Sequence, residues 1–99
     1  MAENVVKNIL TRLGIEDTGK YENHFYIIEM EDSNAYAKMY TALSKNAINT
    51  EFPTFGTNTS DSTVKITNYF ELEEDQNKYN LFLIADFKND KYYLKIGGF

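Results

Sequence analysis

His24 is the sole histidine in a chain of 99 residues that has no cysteine. Disulfides and thiolate metal sites are therefore excluded, and a Cys–His nucleophile pair cannot be built. His24 opens an apolar, aromatic run, and there it reads as a structural residue rather than a general base. Two acid clusters, Glu29-Glu31-Asp32 and Glu71-Glu73-Glu74-Asp75, carry the oxygen ligands that a hard cation takes. Each cluster is local, however, with Glu29 and Glu31 on one strand face and Glu71 and Glu73 on another. No EF-hand spacing joins them, and Glu73–Asp75 falls at a hairpin tip, where charge keeps a turn hydrated. The glycines, at 14, 19, 56, 97 and 98, form no phosphate loop, nucleophile elbow or dinucleotide fingerprint. Ser33 and Ser44 have no base at a recognisable spacing. The expectation is a protein that is not an enzyme, with no catalytic residue, no metal and no cofactor.

The elements that would position any site are those of one small domain, spanning residues 1–99. Hydrophobic residues make up 42% and charged residues 25%, the balance of a chain that folds. The net charge is −5 and Arg12 is the one arginine, which disfavours a general nucleic-acid binder because planar phosphate recognition relies on arginine. The first residues lack a basic stretch followed by an apolar one, and no apolar run approaches a membrane span, so a cytoplasmic location and no membrane contact are expected. Abundant asparagine and tyrosine beside a single proline suggest AT-rich coding, as in many bacteria and their phages.

Val6, Ile9, Leu10 and Leu13 share one helical face, with Gly14 placed to end the helix, so the spacing predicts a helix over about residues 3–13. A polar connection from Glu16 to Asn23 follows. His24–Met30 is rich in aromatic and β-branched residues and apolar on both sides, the pattern of an interior strand. Asp32, Ser33 and Asn34 offer N-caps for a second helix over about 34–46, with Tyr36, Met39, Tyr40 and Leu43 as its stripe. Ala47–Phe52 reads as a short strand and Pro53–Ser62 as a mobile loop.

The last third alternates in three runs, Thr63–Glu73, Lys78–Lys88 and Lys91–Ile96. A four-residue loop at Glu74–Asn77 pairs Leu72 with Tyr79, Phe70 with Leu81 and Ile66 with Ala85. A two-residue turn at Asn89-Asp90 pairs Phe87 with Tyr92, Ala85 with Leu94 and Leu83 with Ile96. Val64, Ile66, Phe70, Leu72, Tyr79, Leu81, Leu83, Ala85, Phe87, Tyr92, Leu94 and Ile96 then share a core face, which a one-residue slip would scatter. Asn68 is the misfit on that face and needs a hydrogen-bond partner or a bulge. The expected fold class is α+β: two helices packed on a mostly antiparallel sheet of 4–5 strands, ordered α-β-α-(β)-β-β-β, ending in a three-strand meander.

The opposite face of that meander carries Tyr69 beside Phe82, and Ile84 diagonal to Tyr93. A cluster of large apolar side chains on a solvent face is either covered by helix one or the Pro53–Ser62 loop, or it is a docking surface. Tyr69, Phe82, Ile84 and Tyr93 are the candidate partner-binding residues, since tyrosine and phenylalanine are favoured interface anchors. The functional expectation is a small protein-binding module, a bacterial or phage-encoded inhibitor or regulator that docks on another protein or on itself as a homodimer. The alternative is a nucleic-acid-related protein, in one of two forms. An aromatic sheet face could stack single-stranded bases, or acidic residues could mimic DNA phosphates.

The ending Ile96-Gly97-Gly98-Phe99 resembles the di-glycine tail of ubiquitin-like proteins, over the tail alone. Ubiquitin-like folds begin with a β-hairpin, whereas this chain begins with a helix, and Ile96 is expected to pair within the last strand.

Overall fold

The computed structural model describes residues 2–16, 19–51, 54–58 and 63–98. Helix α1 spans Ala2–Leu13, and strands β1 and β2 span Lys20–Glu22 and Phe25–Met30. Helix α2 spans Ser33–Asn46. Strands β3 to β7 follow as Asn49–Thr50, Thr54–Asn58, Thr63–Glu74, Asn77–Asp86 and Lys91–Gly97. The seven strands form one antiparallel sheet in the order β1-β2-β7-β6-β5-β3, with β4 pairing β5 beyond the end of β3. The class is α+β, but the sheet has more strands than the four or five expected.

Helix α1 ends in a Schellman motif. Gly14 takes φ +73°, its N–H donates to the Thr11 carbonyl at 3.1 Å, and the Ile15 N–H donates to the Leu10 carbonyl at 3.0 Å. Helix α2 is capped by Asp32, whose Oδ1 accepts from the Ala35 N–H at 2.9 Å, so one otherwise unpaired donor of the first turn is satisfied. Both helices lie on the same side of the sheet. Val6, Ile9, Leu10 and Leu13 of α1, with Met39 and Leu43 of α2, pack in one cluster with Tyr26, Ile28, Phe70, Leu72, Leu81, Leu83, Leu94 and Ile96. That is a two-layer arrangement in which each helix stripe and one sheet face leave water together. Arg12 pins α1 to the β5 end, donating to the Glu73 carbonyl at 2.7 Å and to Glu74 Oε1 at 2.9 Å.

Asn68 stands opposite Leu83 on the core face, as the alternation requires. It is buried, and no bulge relieves it: its Nδ2 donates to the Tyr36 hydroxyl at 2.8 Å. The polar residue of β5 is thereby tied to the aromatic residue of α2, which also packs on Tyr92 with ring centroids 5.5 Å apart.

Several sequence expectations need correction. The β5–β6 register is the expected one, but Glu74 and Asn77 also pair, so the turn has two residues. Asp75 and Gln76 both take positive φ, 54° and 68°, the signature of a type I′ hairpin whose twist suits its strands. Between β6 and β7 the turn has four residues, 87–90, and pairs Asp86 with Lys91, Ala85 with Tyr92, Leu83 with Leu94 and Leu81 with Ile96. The register is therefore two residues away from the expected one. A shift of two leaves each side chain on its face, which is why the core set stays together. Phe87 is the casualty: it lies in the turn and is 52% exposed.

His24 does not open a strand. With Asn23 it forms a second two-residue turn at positive φ, 50° and 71°. That turn joins β2 to β1, which lies in the segment expected to be a plain connection. Part of the expected Pro53–Ser62 loop is strand β4, paired with β5 from Thr54↔Thr67 to Asn58↔Thr63; Phe52, Pro53 and residues 59–62 lie outside the described residues.

Candidate protein-docking face

Because both helices occupy one side, no helix among the described residues lies on the other side of the sheet. The strand pairings set its residues in four rows. Lys65, Asp86 and Lys91 form the first, and Thr67, Ile84, Tyr93 and Glu29 the second. Tyr69, Phe82, Lys95, Ile27 and Lys20 form the third. The fourth runs Glu71, Asn80 and Gly97, with Phe25 and Glu22 continuing it on β2 and β1.

All four candidate residues, Tyr69, Phe82, Ile84 and Tyr93, lie on this open face. Tyr69 is paired directly with Phe82, their ring centroids 5.4 Å apart. Ile84 is directly opposite Tyr93 rather than diagonal to it, a consequence of the four-residue turn. Ile84 is only 8% exposed, while Tyr69, Phe82 and Tyr93 are half-buried against their neighbours. Helix one does not cover these residues, since α1 packs on the opposite side. Of the loop expected as the other cover, β4 lies beside β5 in the sheet, and Pro53 and residues 59–62 lie outside the described residues.

Two β2 side chains that the last third of the sequence could not reveal, Phe25 and Ile27, complete the cluster. Phe25 of β2 meets Phe82 edge to face, with centroids 6.2 Å apart and planes at 75°. Its ring lies over Gly97, where an added Cβ would come within 2.6 Å of Phe25 Cε1. Gly97 is thus a strand glycine that makes room for an aromatic neighbour. Its place in β7 also means that the first glycine of the di-glycine pair is held in the sheet. Lys95 sets its Nζ 5.5 Å from the Phe25 ring centre, a cation–π contact that lays the lysine stem across the face. The signal for Phe25 and Ile27 lies in β2 being apolar on both sides.

The face is ordered by polar contacts at its margins. The Tyr69 hydroxyl donates to Asn80 Oδ1 at 2.6 Å. Burial, then the nearby Glu71 and Glu51 carboxylates, hold that phenol above its ordinary range. Asp86 is buried and fastens the 87–90 turn. Its Oδ1 accepts from the Asn89 N–H at 3.3 Å and its Oδ2 from Asn89 Nδ2 at 2.9 Å, with Lys65 Nζ 4.0 Å away. These contacts, the Asn89 amide first, pull its carboxyl below the usual range despite burial.

Elsewhere the chemistry is thin. A cleft of about 500 Å³ runs between the end of α1, β2 and the start of α2, rimmed by Glu16, Glu29, Glu31 and Asp32. Among the described residues no group of three or more metal-ligating side chains converges. No described helix is long and apolar enough to cross a membrane. The chain matches no protein-family model, no curated protein and no solved structure.

Proposed function

We propose that this chain is a small, non-enzymatic protein-binding module that docks through its open sheet face. One observation carries the reading. Phe25, Tyr69, Phe82 and Tyr93, each part-exposed, adjoin one another around the buried Ile84 on the side of the sheet away from both helices. Monomeric proteins seldom leave such a patch in water, and a polar rim around an aromatic centre is the anatomy of a protein interface. A role as a cytoplasmic inhibitor or regulator, of bacterial or phage origin, suits a domain that offers a surface rather than a reaction centre.

Nucleic acid fits this face less well. Aromatic rings for base stacking are present, but lysines 65, 91, 95 and 20 alternate with Asp86, Glu29, Glu71 and Glu22 instead of lining a basic track. The test is capture on the immobilised chain from an extract of its native host. A protein held by the wild type and by Thr11→Lys, on the exposed side of α1, but lost by Phe82→Lys supports the reading. A protein held equally by Phe82→Lys, or retained RNA or single-stranded DNA in its place, overturns it.

A further inference from the structure

We infer that the occupant of the open face is a second copy of this chain, packed sheet on sheet about a twofold axis that runs across the strands. The inference rests on the docking role proposed above and goes further by naming the partner and its register. It comes from the placement of charge around the apolar centre. An isologous interface must be complementary to itself, so an arrangement is favoured where the twofold axis generates an anion opposite a cation and avoids like charges.

An axis lying across the strands, between the second and third rows, brings the first row onto the fourth and the second onto the third. On β5 this sets Lys65 of one copy against Glu71 of the other, twice over by symmetry. In the middle rows it sets Glu29 near Lys20 and Lys95 of the second copy. On β6 Ile84 meets Phe82 and on β5 Thr67 meets Tyr69, while on β7 Tyr93 meets the stem of Lys95 and on β2 Ile27 meets Glu29. An axis along the strands instead carries β5 onto β1 and sets Glu71 against Glu22, a like-charge meeting that selects against that arrangement. Within one copy Lys65 and Glu71 are six residues apart on the same strand face, roughly 20 Å at about 3.4 Å per residue, too far to pair with each other.

The size suits a reversible dimer. The seventeen positions of the four rows, each about 4.8 Å by 6.8 Å, give a plan of roughly 550 Å² per copy. A stable interface buries about 800 Å² per partner. Aligned packing of two such sheets, near 30° apart, produces a β-sandwich with both helix layers outside.

Sedimentation equilibrium on five proteins tests the inference: wild type, Lys65→Glu, Glu71→Lys, the combined Lys65→Glu/Glu71→Lys, and Phe82→Lys. The wild type is expected to dimerise reversibly, and each single charge reversal to weaken the dimer about tenfold. The combined exchange restores it, because the swapped charges at positions 65 and 71 again meet with opposite sign across the axis, and Phe82→Lys abolishes it. Glu71 lies at the other end of the strand from Asp86, so Glu71→Lys reports on association even if Phe82→Lys fails to fold. Lys65 stands 4.0 Å from Asp86, so circular dichroism confirms the fold of the two variants that carry Lys65→Glu. A wild type that stays monomeric at millimolar concentration overturns the inference. So does a dimer indifferent to Phe82→Lys, or single variants that weaken without rescue in the combination. A monomeric wild type whose capture of a host protein is still lost in Phe82→Lys overturns the self-pairing alone and leaves the docking role standing.

Discussion

Phe25 packs edge to face on Phe82, with ring centroids 6.2 Å apart, although strand β7 lies between them. The contact is made across Gly97, which presents no Cβ beneath the Phe25 ring. It joins β2 to the aromatic cluster of β5 and β6 and turns separate side chains into one surface. Gly97→Ala is therefore expected to destabilise the fold by about 1–3 kcal/mol, the usual penalty for overpacking. Most of that loss should vanish in a Phe25→Ala background. Urea unfolding of the two single variants and the double variant measures the coupling, and additive losses would show that the two residues do not meet.

Asn68 and Tyr36 form a second linked pair, between sheet and helix. Tyr36→Phe removes the acceptor and leaves a buried amide unsatisfied, with an expected loss of about 1–3 kcal/mol. Replacing both partners, as Tyr36→Phe with Asn68→Leu, should recover much of it. Chemical denaturation of the three variants tests this, and a Tyr36→Phe variant of unchanged stability would contradict it.

Burial, partly offset by the Asn68 contact, raises the Tyr36 phenol above its ordinary value of 10.0, and burial raises Tyr69 likewise. The folded state thus holds these protons more tightly than the unfolded chain does. Their contribution is complete below about pH 10 and falls away as pH rises through the folded-state values. Thermal unfolding across the alkaline range should show a declining midpoint above about pH 10, less steep in Tyr69→Phe. A decline of equal slope in that variant would remove Tyr69 from the explanation.

Asp86 has the opposite sign. Its folded-state pKa lies below the ordinary 3.8 because the Asn89 amide, foremost, stabilises the carboxylate. The stabilisation is present above pH 3.8 and is lost as pH falls through the depressed value. Asp86→Asn should be less stable than wild type at neutral pH, and the difference should narrow as the solution is acidified. A constant difference from neutral pH down into the acid range would contradict the assignment.

The β5–β6 turn holds two side-chain-bearing residues in the left-handed region, a conformation that glycine adopts freely. Gln76→Gly creates the Asp-Gly pair favoured in type I′ turns and should raise stability by about 0.5–1 kcal/mol. Calorimetry decides the sign.

The two faces of the last third are legible in the sequence because strand alternation has a period of two. Even the unexpected width of the turn after Asp86 moves residues along the strands without exchanging sides. That width has a local cause. Asn89-Asp90 resembles a two-residue hairpin turn, whereas the carboxylate of Asp86 gathers the Asn89 N–H and amide into a wider one. Strand β1 is hidden from a sequence reading because Lys20, Tyr21 and Glu22 are all exposed and show no apolar alternation. Strand β4, Thr-Phe-Gly-Thr-Asn, has the composition of a loop and is strand by virtue of its pairing with β5. The Phe25–Gly97 contact is beyond any local reading, since it joins two strands far apart in the chain.

The side of the sheet opposite the helices is, on this account, where the chain associates. Amide chemical shifts of isotope-labelled protein over a concentration series test that claim most directly. The expected shifts grow with concentration and cluster at Phe25, Thr67, Tyr69, Phe82, Ile84, Tyr93 and Lys95, with Lys7, Asn8, Thr11 and Lys45 on the helical side unmoved. Shifts confined to the helical side, or none at any concentration, would contradict it.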